Sequence, residues 1–301
     1  MSPELLKQNC FFIVGAPKCS TSSLALHLSE HPEIAFSEPK EPHYFSSDYP
    51  FGPPEMSSLD NYLNCFCPTE RTRIFGEGSV FYLYSNEAIQ KIEEFSSGQA
   101  KYIVCLRNPV DASFSLHAQH VAFGWEPERD YLTAIQRSEK FWPASISEEK
   151  IVKILQYKRL YSYSTYIDRL LSLVDRQRVL FYVLERDGKD LATFYDSLHN
   201  FLGVSRRMVQ TERRVNEARR INADWLYRIL TNPIALATAR RLRAIVAPQG
   251  FGLGRPIRRI SSEERQVAQD IFAEDIAATA MAVRFNSSHW QRYEKGALHD
   301  C

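Results

Sequence analysis

Phe11-Phe12-Ile13-Val14-Gly15-Ala16-Pro17-Lys18-Cys19-Ser20-Thr21-Ser22-Ser23-Leu24 reads as an apolar strand, a tight loop carrying one lysine, and a hydroxyl-rich helix start. That succession builds an anion site. Backbone N–H groups at a helix N-terminus point outward unpaired, and the helix dipole adds positive potential to them. Lys18 adds a full charge, while Ser20, Thr21, Ser22 and Ser23 offer hydroxyl donors within one turn. The expected ligand is phosphorylated. A nucleotide-triphosphate loop, G-x-x-x-x-G-K-[ST], fits poorly. Counted from Gly15, it needs glycine at 20 and lysine at 21, where this chain has Ser20 and Thr21.

A second stretch carries a complementary signal: Lys101-Tyr102-Ile103-Val104-Cys105-Leu106-Arg107-Asn108-Pro109-Val110-Asp111-Ala112-Ser113-Phe114-Ser115. Tyr102 to Leu106 reads as a short buried strand, and Asn108 with Pro109 as the N-cap and first residue of a new helix. Ser115 follows Asn108 by two helical turns and so returns to the face that carries the helix entrance. Arg107 and Ser115 therefore converge on one phosphate, the arginine as a charge-assisted fork.

These two stretches, in this order, resemble the 5′-phosphosulfate loop and the 3′-phosphate motif of sulfotransferases that use 3′-phosphoadenosine 5′-phosphosulfate (PAPS). Ser37 to Phe45 (SEPKEPHYF) resembles the K-E-x-H-[FY]-F segment of the heparan-sulfate-type and bacterial members, and Phe75 to Tyr82 (FGEGSVFY) resembles their G-E-x-S-P-x-Y segment. Tyr161 to Val204, ending His199-Asn200-Phe201-Leu202-Gly203-Val204, resembles their later helix, strand and FLGV helix. The likeness covers most of residues 10–205 and weakens beyond. It implies that Lys18, Cys19, Ser20, Thr21, Ser22, Ser23, Arg107 and Ser115 bind the cofactor, with Arg255 and Arg258 in a basic C-terminal loop. Three departures stand out. Ser20 replaces a glycine and is less suited to φ > 0. Gly78 replaces a lysine that contacts sulfated acceptors in the heparan 3-O enzymes, which argues against a heparan acceptor. Val80 replaces a proline.

The chemistry implied is in-line transfer of a sulfuryl group to a hydroxyl or amine through a loose transition state, where positioning and charge stabilisation dominate. Lys18 is the candidate donor to the leaving oxygen. Glu41 is the base matched by the resemblance. His43, two residues on, would share its side in extended chain and act as its support or as the base itself. Glu77 either orients Lys18 or the acceptor, or is a buried structural carboxylate. His117 and His120 read as helix-face residues.

Strands are expected at 11–14, 33–36, 73–76, 102–106 and 178–183. Helices are expected after Thr21 and at 85–95, 109–121, 151–174, 189–202 and 262–283, with two more across 222–247. Residues 46–72 and 124–148 read as loops. This alternation predicts an α/β fold with a mostly parallel central sheet flanked by helices, which the resemblance refines to a P-loop-like three-layer sandwich. One domain over 1–301 is expected, with a cofactor core at about 10–205 and a helical, Arg-rich part at 206–301.

The 301 residues are 44% hydrophobic and 24% charged, ordinary for a globular protein. No apolar run approaches the roughly 18 residues of a membrane span, and no secretory leader or prenylation signal is read. Six scattered cysteines lack zinc-ligand spacing, so reduced thiols, no metal and a cytoplasmic location are expected. The net charge of +1 hides an asymmetry: residues 206–259 hold thirteen Arg against three acids. That stretch reads as a solvated face, an electrostatic funnel or a docking surface. It lacks the interleaved aromatics of a nucleic-acid binder. The expected partner is a small hydroxylated or natural-product acceptor, with PAP as the released product. A carbohydrate acceptor and a non-catalytic nucleotide binder are the alternatives, and the assembly is left open between monomer and homodimer.

Overall fold

The computed structural model describes residues 3–49, 54–137, 152–207 and 259–291. Its centre is a five-stranded sheet in the order β2-β3-β1-β4-β5. The strands are β1 Cys10–Gly15, β2 Ile34–Phe36, β3 Ile74–Glu77, β4 Lys101–Leu106 and β5 Val179–Val183. Every neighbouring pair is parallel. β1 is buried along its whole length, as a strand covered by helices on both faces must be, which accounts for its unbroken apolar run. Gly76 on β3 is required by close approach, since a Cβ there would fall 2.3 Å from the Phe11 ring and 2.8 Å from that of Phe36.

Because all five strands run the same way, the segments leaving them emerge at one edge. Ligands in open α/β sheets lie there. Gly15, Phe36, Glu77 and Leu106 all end strands at this edge, so the four segments singled out in the sequence are neighbours for topological reasons.

The flanking helices start and stop where local chemistry directs. Asn108 accepts from Val110 N–H and Pro109 opens the helix Pro109–Phe123, which Gly124 closes at φ 72°. Asp190 caps Leu191–Leu202 through Thr193 N–H, and Ser261 with Glu264 forms a capping box on Ser262–Val283. That last helix packs on the same core through Ala268, Phe272 and Ile276, and Arg265 pairs with Asp111 at 2.5 Å.

Three expectations need correction. The stretch 46–72 contains a 3-10 turn, Pro54–Ser57, and a helix, Leu59–Leu63, capped by Ser58 and anchored by buried Tyr62. The stretch 124–148 contains the helix Tyr131–Arg137, where Asp130 accepts from Thr133 N–H at 2.8 Å and Tyr131 is buried. The helix expected over 151–174 is interrupted at Gln156, after a helical turn at 152–155, and again at Ser162, between Tyr157–Tyr161 and Tyr163–Leu173. The break at Ser162 has a cause. Tyr163 and Ser164 give their N–H groups to Asp275 of the C-terminal helix, at 2.9 and 3.0 Å, instead of to carbonyls one turn back. The helices expected over 222–247 lie outside the described residues. Among the described residues no helix is long and apolar enough to cross a membrane.

Candidate active site

The loop between β1 and the helix Thr21–Ser29 takes two left-handed residues, Lys18 at φ 63° and Ser20 at φ 65°. Ser20 thus adopts the conformation for which glycine would be the easier choice, at a cost of about 1–2 kcal/mol. Its side chain makes no cap hydrogen bond, so the first N–H groups of the helix keep their outward, unpaired character. Thr21 is buried, Ser22 exposed and Ser23 half-buried. Cys19 points inward: its thiol is fully buried, donates to Pro17 O at 3.4 Å and lies 3.5 Å from the Tyr163 hydroxyl. Burial pushes that thiol up to about 12, which leaves the Cys19 backbone, not its sulfur, to face a ligand.

The broken helix pair fixes both anion motifs. Tyr161 donates to Pro17 O and Tyr163 donates to Arg107 O, each at 3.1 Å. Arg107 in turn donates to Lys18 O at 3.4 Å. Lys18 Nζ donates to Gln119 Oε1 at 3.0 Å. Gln119 sits one turn after Ser115 on the same helix face, so Lys18, Arg107 and the Ser115 face gather at one place although 89 residues separate the lysine from the arginine. The Ser115 hydroxyl has no protein partner among the described residues.

The charge balance here is the decisive feature. Both cations are half-buried, and among the described residues neither forms an ion pair with a carboxylate. Burial, then the neighbouring Arg107, push the Lys18 amine below its usual value. Half-buried positive charge left without a counter-charge is costly unless an anion completes it. The acid that acts on Arg107 is Glu185, and both its oxygens are taken: Oε1 accepts from Asn108 N at 2.9 Å and Oε2 from the Trp290 indole at 2.8 Å. Asn108 Nδ2 donates to Trp290 O at 2.7 Å, closing a ring of bonds behind Arg107.

The acidic side is built differently. Glu41, 36% exposed, accepts from Lys40 Nζ at 2.6 Å and meets His43 Nε2 at 3.3 Å. Burial works to raise its carboxyl, but Lys40 and His43 outweigh it and hold the group down at about 2. Glu41 and His43 do share a side, as expected, but through a left-handed His43 at φ 54° and not through extended alternation. Glu77 is 1% exposed and accepts from Ser79 at 2.5 Å, Tyr62 at 3.0 Å and Tyr82 at 3.2 Å. Ser79 accepts from His43 N and Tyr82 from Phe45 N. Glu77 therefore braces the His43–Phe45 strap from beneath and makes no bond to Lys18. Burial raises its carboxyl to about 7 against the pull of three hydroxyls. His117 and His120 are buried on Glu128 O and the Tyr157 hydroxyl, and burial holds His120 neutral down to about 3. Arg255 and Arg258 lie outside the described residues.

No family model matches the chain. A sulfotransferase of known crystal structure from Alicyclobacillus acidocaldarius superposes with a TM-score of 0.67 at 25% identity, covering 94% of this chain and 98% of that one. The likeness supports a place among the sulfotransferases. Two curated proteins are similar over shorter stretches of it. One is the membrane-associated sulfotransferase kil1 of Dictyostelium discoideum, 29% identical over 38% of this chain. The other is the bifunctional heparan sulfate N-deacetylase/N-sulfotransferase 2 of Bos taurus, 26% identical over 65%. The chain spans only about a quarter of the length of these relatives, 23% and 22% respectively.

Gln119, Glu185, Trp290 and Asp275 escaped the sequence reading. Gln119 carried a local signal, since it stands one helical turn beyond Ser115. The other three act across more than 75 residues, and no local pattern marks them.

Proposed function

We propose that this protein transfers a sulfuryl group from PAPS to a hydroxyl or amine of a small organic acceptor, releasing PAP and needing no metal ion. The observation that carries the reading is the pair of half-buried cations, Lys18 and Arg107, joined through the Lys18 carbonyl and lacking a carboxylate partner among the described residues. A ligand with two separate anionic groups suits them. Arg107 and Ser115 would hold the 3′-phosphate, while the N–H groups and hydroxyls of residues 20–23 with Lys18 would hold the 5′ end. When bound, PAPS supplies the activated sulfuryl group. Lys18 stabilises negative charge as it grows on the leaving oxygen, in a half-buried setting where such stabilisation exceeds its value in water.

Glu41 is assigned to accept the proton of the attacking group. A carboxylate held at about 2 is a weak base, so the assignment requires Lys40 to release Glu41 when the acceptor arrives. His43, already in contact, would then orient the carboxylate. Glu77 positions this pair through Ser79 and touches no reacting atom.

A carbohydrate acceptor is the second reading, favoured by the heparan sulfate and carbohydrate sulfotransferases among the relatives. Incubation with PAPS and a mixed panel of phenols, hydroxylated lipids and oligosaccharides, read by mass spectrometry, separates the two. Gain of one SO3 on a phenol or lipid supports the first reading. Gain only on oligosaccharides selects the second, and no gain with PAPS intact removes both.

A further inference from the structure

A small cleft that neither of the two cations lines opens between the helix Tyr157–Tyr161, Tyr84 and Tyr49, with a volume of about 20 Å³. That is room for one small oxygen-bearing group. Tyr84 lines it, 3% exposed, and the buried hydroxyl has no partner among the described residues. Buried hydroxyls are almost always bonded, so an orphan in a cleft wall asks for a ligand. Burial keeps this hydroxyl protonated, which makes it a donor. Arg159, exposed at the rim, donates a long 3.4 Å bond to Gln156, bonds the Tyr166 hydroxyl and pairs with no carboxylate among the described residues. Lys153, also in the lining, donates to Asp48 O at 3.1 Å and lies over the Tyr49 ring. Asp48 is the one acid of the wall among the described residues, and its oxygens already accept from Ser85 at 2.6 Å and Asn86 N at 3.0 Å. The rings of Tyr49 and Tyr166 are also part of the lining.

We propose that this cleft is an oxyanion subsite that takes one oxygen of the carboxylate or sulfate of a ligand with an aryl stem, Tyr84 giving a directed hydrogen bond and Arg159, at the rim, the charge. Its place ties it to the acceptor. Tyr49 stacks on Phe81 with ring centres 5.4 Å apart, and Phe81 lies 6.3 Å from His43, so two rings separate the subsite from the proton-accepting pair. Calling the ligand the acceptor rests on the sulfotransferase reading; the subsite itself does not.

Benzoate and its neutral isostere benzamide are the probes, titrated into tyrosine-ring 13C-labelled protein with and without saturating PAP. The signal of Tyr84 is assigned by the Tyr84→Phe variant. Benzoate should shift the Tyr84 and Tyr166 signals saturably and benzamide should not. Arg159→Gln should weaken benzoate about tenfold, the loss of one charge-assisted bond. Tyr84→Phe should weaken it too, without lowering the melting temperature, because the hydroxyl has no protein partner to lose. Equal shifts with both probes would overturn the proposal. So would a destabilised Tyr84→Phe that binds benzoate as before, which would assign the hydroxyl to a buried water. Failure of PAP to bind while benzoate binds would remove the sulfotransferase reading and leave the subsite standing.

Discussion

At one edge of the sheet the chain leaves Lys18 and Arg107 without a carboxylate among the described residues, while at the end of β3 it surrounds the buried Glu77 with three hydroxyl donors. The two regions differ in burial, the cations half-buried and Glu77 fully buried, and are opposite in satisfaction. Glu77 is finished within the protein, and its partners carry that order on to His43 and Phe45. The cations find no carboxylate among the described residues, and under the proposed function a ligand completes them. Glu41 stands between these cases, since it is bonded to Lys40 and His43 yet 36% exposed. What distinguishes a scaffold residue from a working one here is whether the fold already supplies its counterpart.

The sharpest way to break this comparison is at Glu41. Glu41→Gln should lower turnover by about 10²–10⁴, the usual loss for a general base, and leave PAP affinity unchanged. His43→Ala should cost less. The reverse order would move the base to His43.

Lys18→Met should lower turnover by about 10²–10³, with a melting temperature no lower than that of the wild type. A marked loss of stability would mean that the lysine is a structural group like Glu77.

Glu77→Ala should act on the other axis, costing roughly 2–5 kcal/mol of stability in denaturant titrations by stranding buried hydroxyls. Its pH dependence gives a further check. The folded carboxyl, at about 7, is raised above its ordinary value of 4.5. The folded state therefore binds more protons between those limits, and this group's contribution is lost as pH rises through 7. The stability gap between wild type and Glu77→Gln should narrow from pH 5 to pH 8, and a constant gap would contradict the buried-acid account. The smallest effect expected is none: turnover should persist in EDTA, because Lys18 is assigned the charge-stabilising task. An absolute need for a divalent ion would overturn that assignment.

Much of this architecture was legible in the chain, for identifiable reasons. The strands announce themselves because a parallel sheet covered on both faces needs unbroken apolar runs. The helix Pro109–Phe123 is written in Asn108, Pro109 and Gly124. The strand, turn and helix start around Lys18 are legible in the sequence, and the structure adds that Ser20 accepts the left-handed conformation glycine would take more easily. The break at Ser162 was not legible, because its cause is Asp275, over a hundred residues away. The short helices inside 46–72 and 124–148 were hidden for a similar reason, each depending on a tyrosine that finds its burial elsewhere in the fold. Glu77 was readable as either brace or catalyst, and only its three hydroxyl partners decide for the brace.

The central claim is that the two cations are shaped for one ligand bearing a 3′-phosphate as well as a 5′ anionic group. Calorimetric titration of PAP and 5′-AMP into the wild type and Arg107→Ala tests it most directly. Charge-assisted bonds contribute about 1.5–3 kcal/mol each. PAP should therefore bind the wild type at least about tenfold more tightly than 5′-AMP, and Arg107→Ala should erase most of that difference. Equal affinities for PAP and 5′-AMP in the wild type would contradict the account.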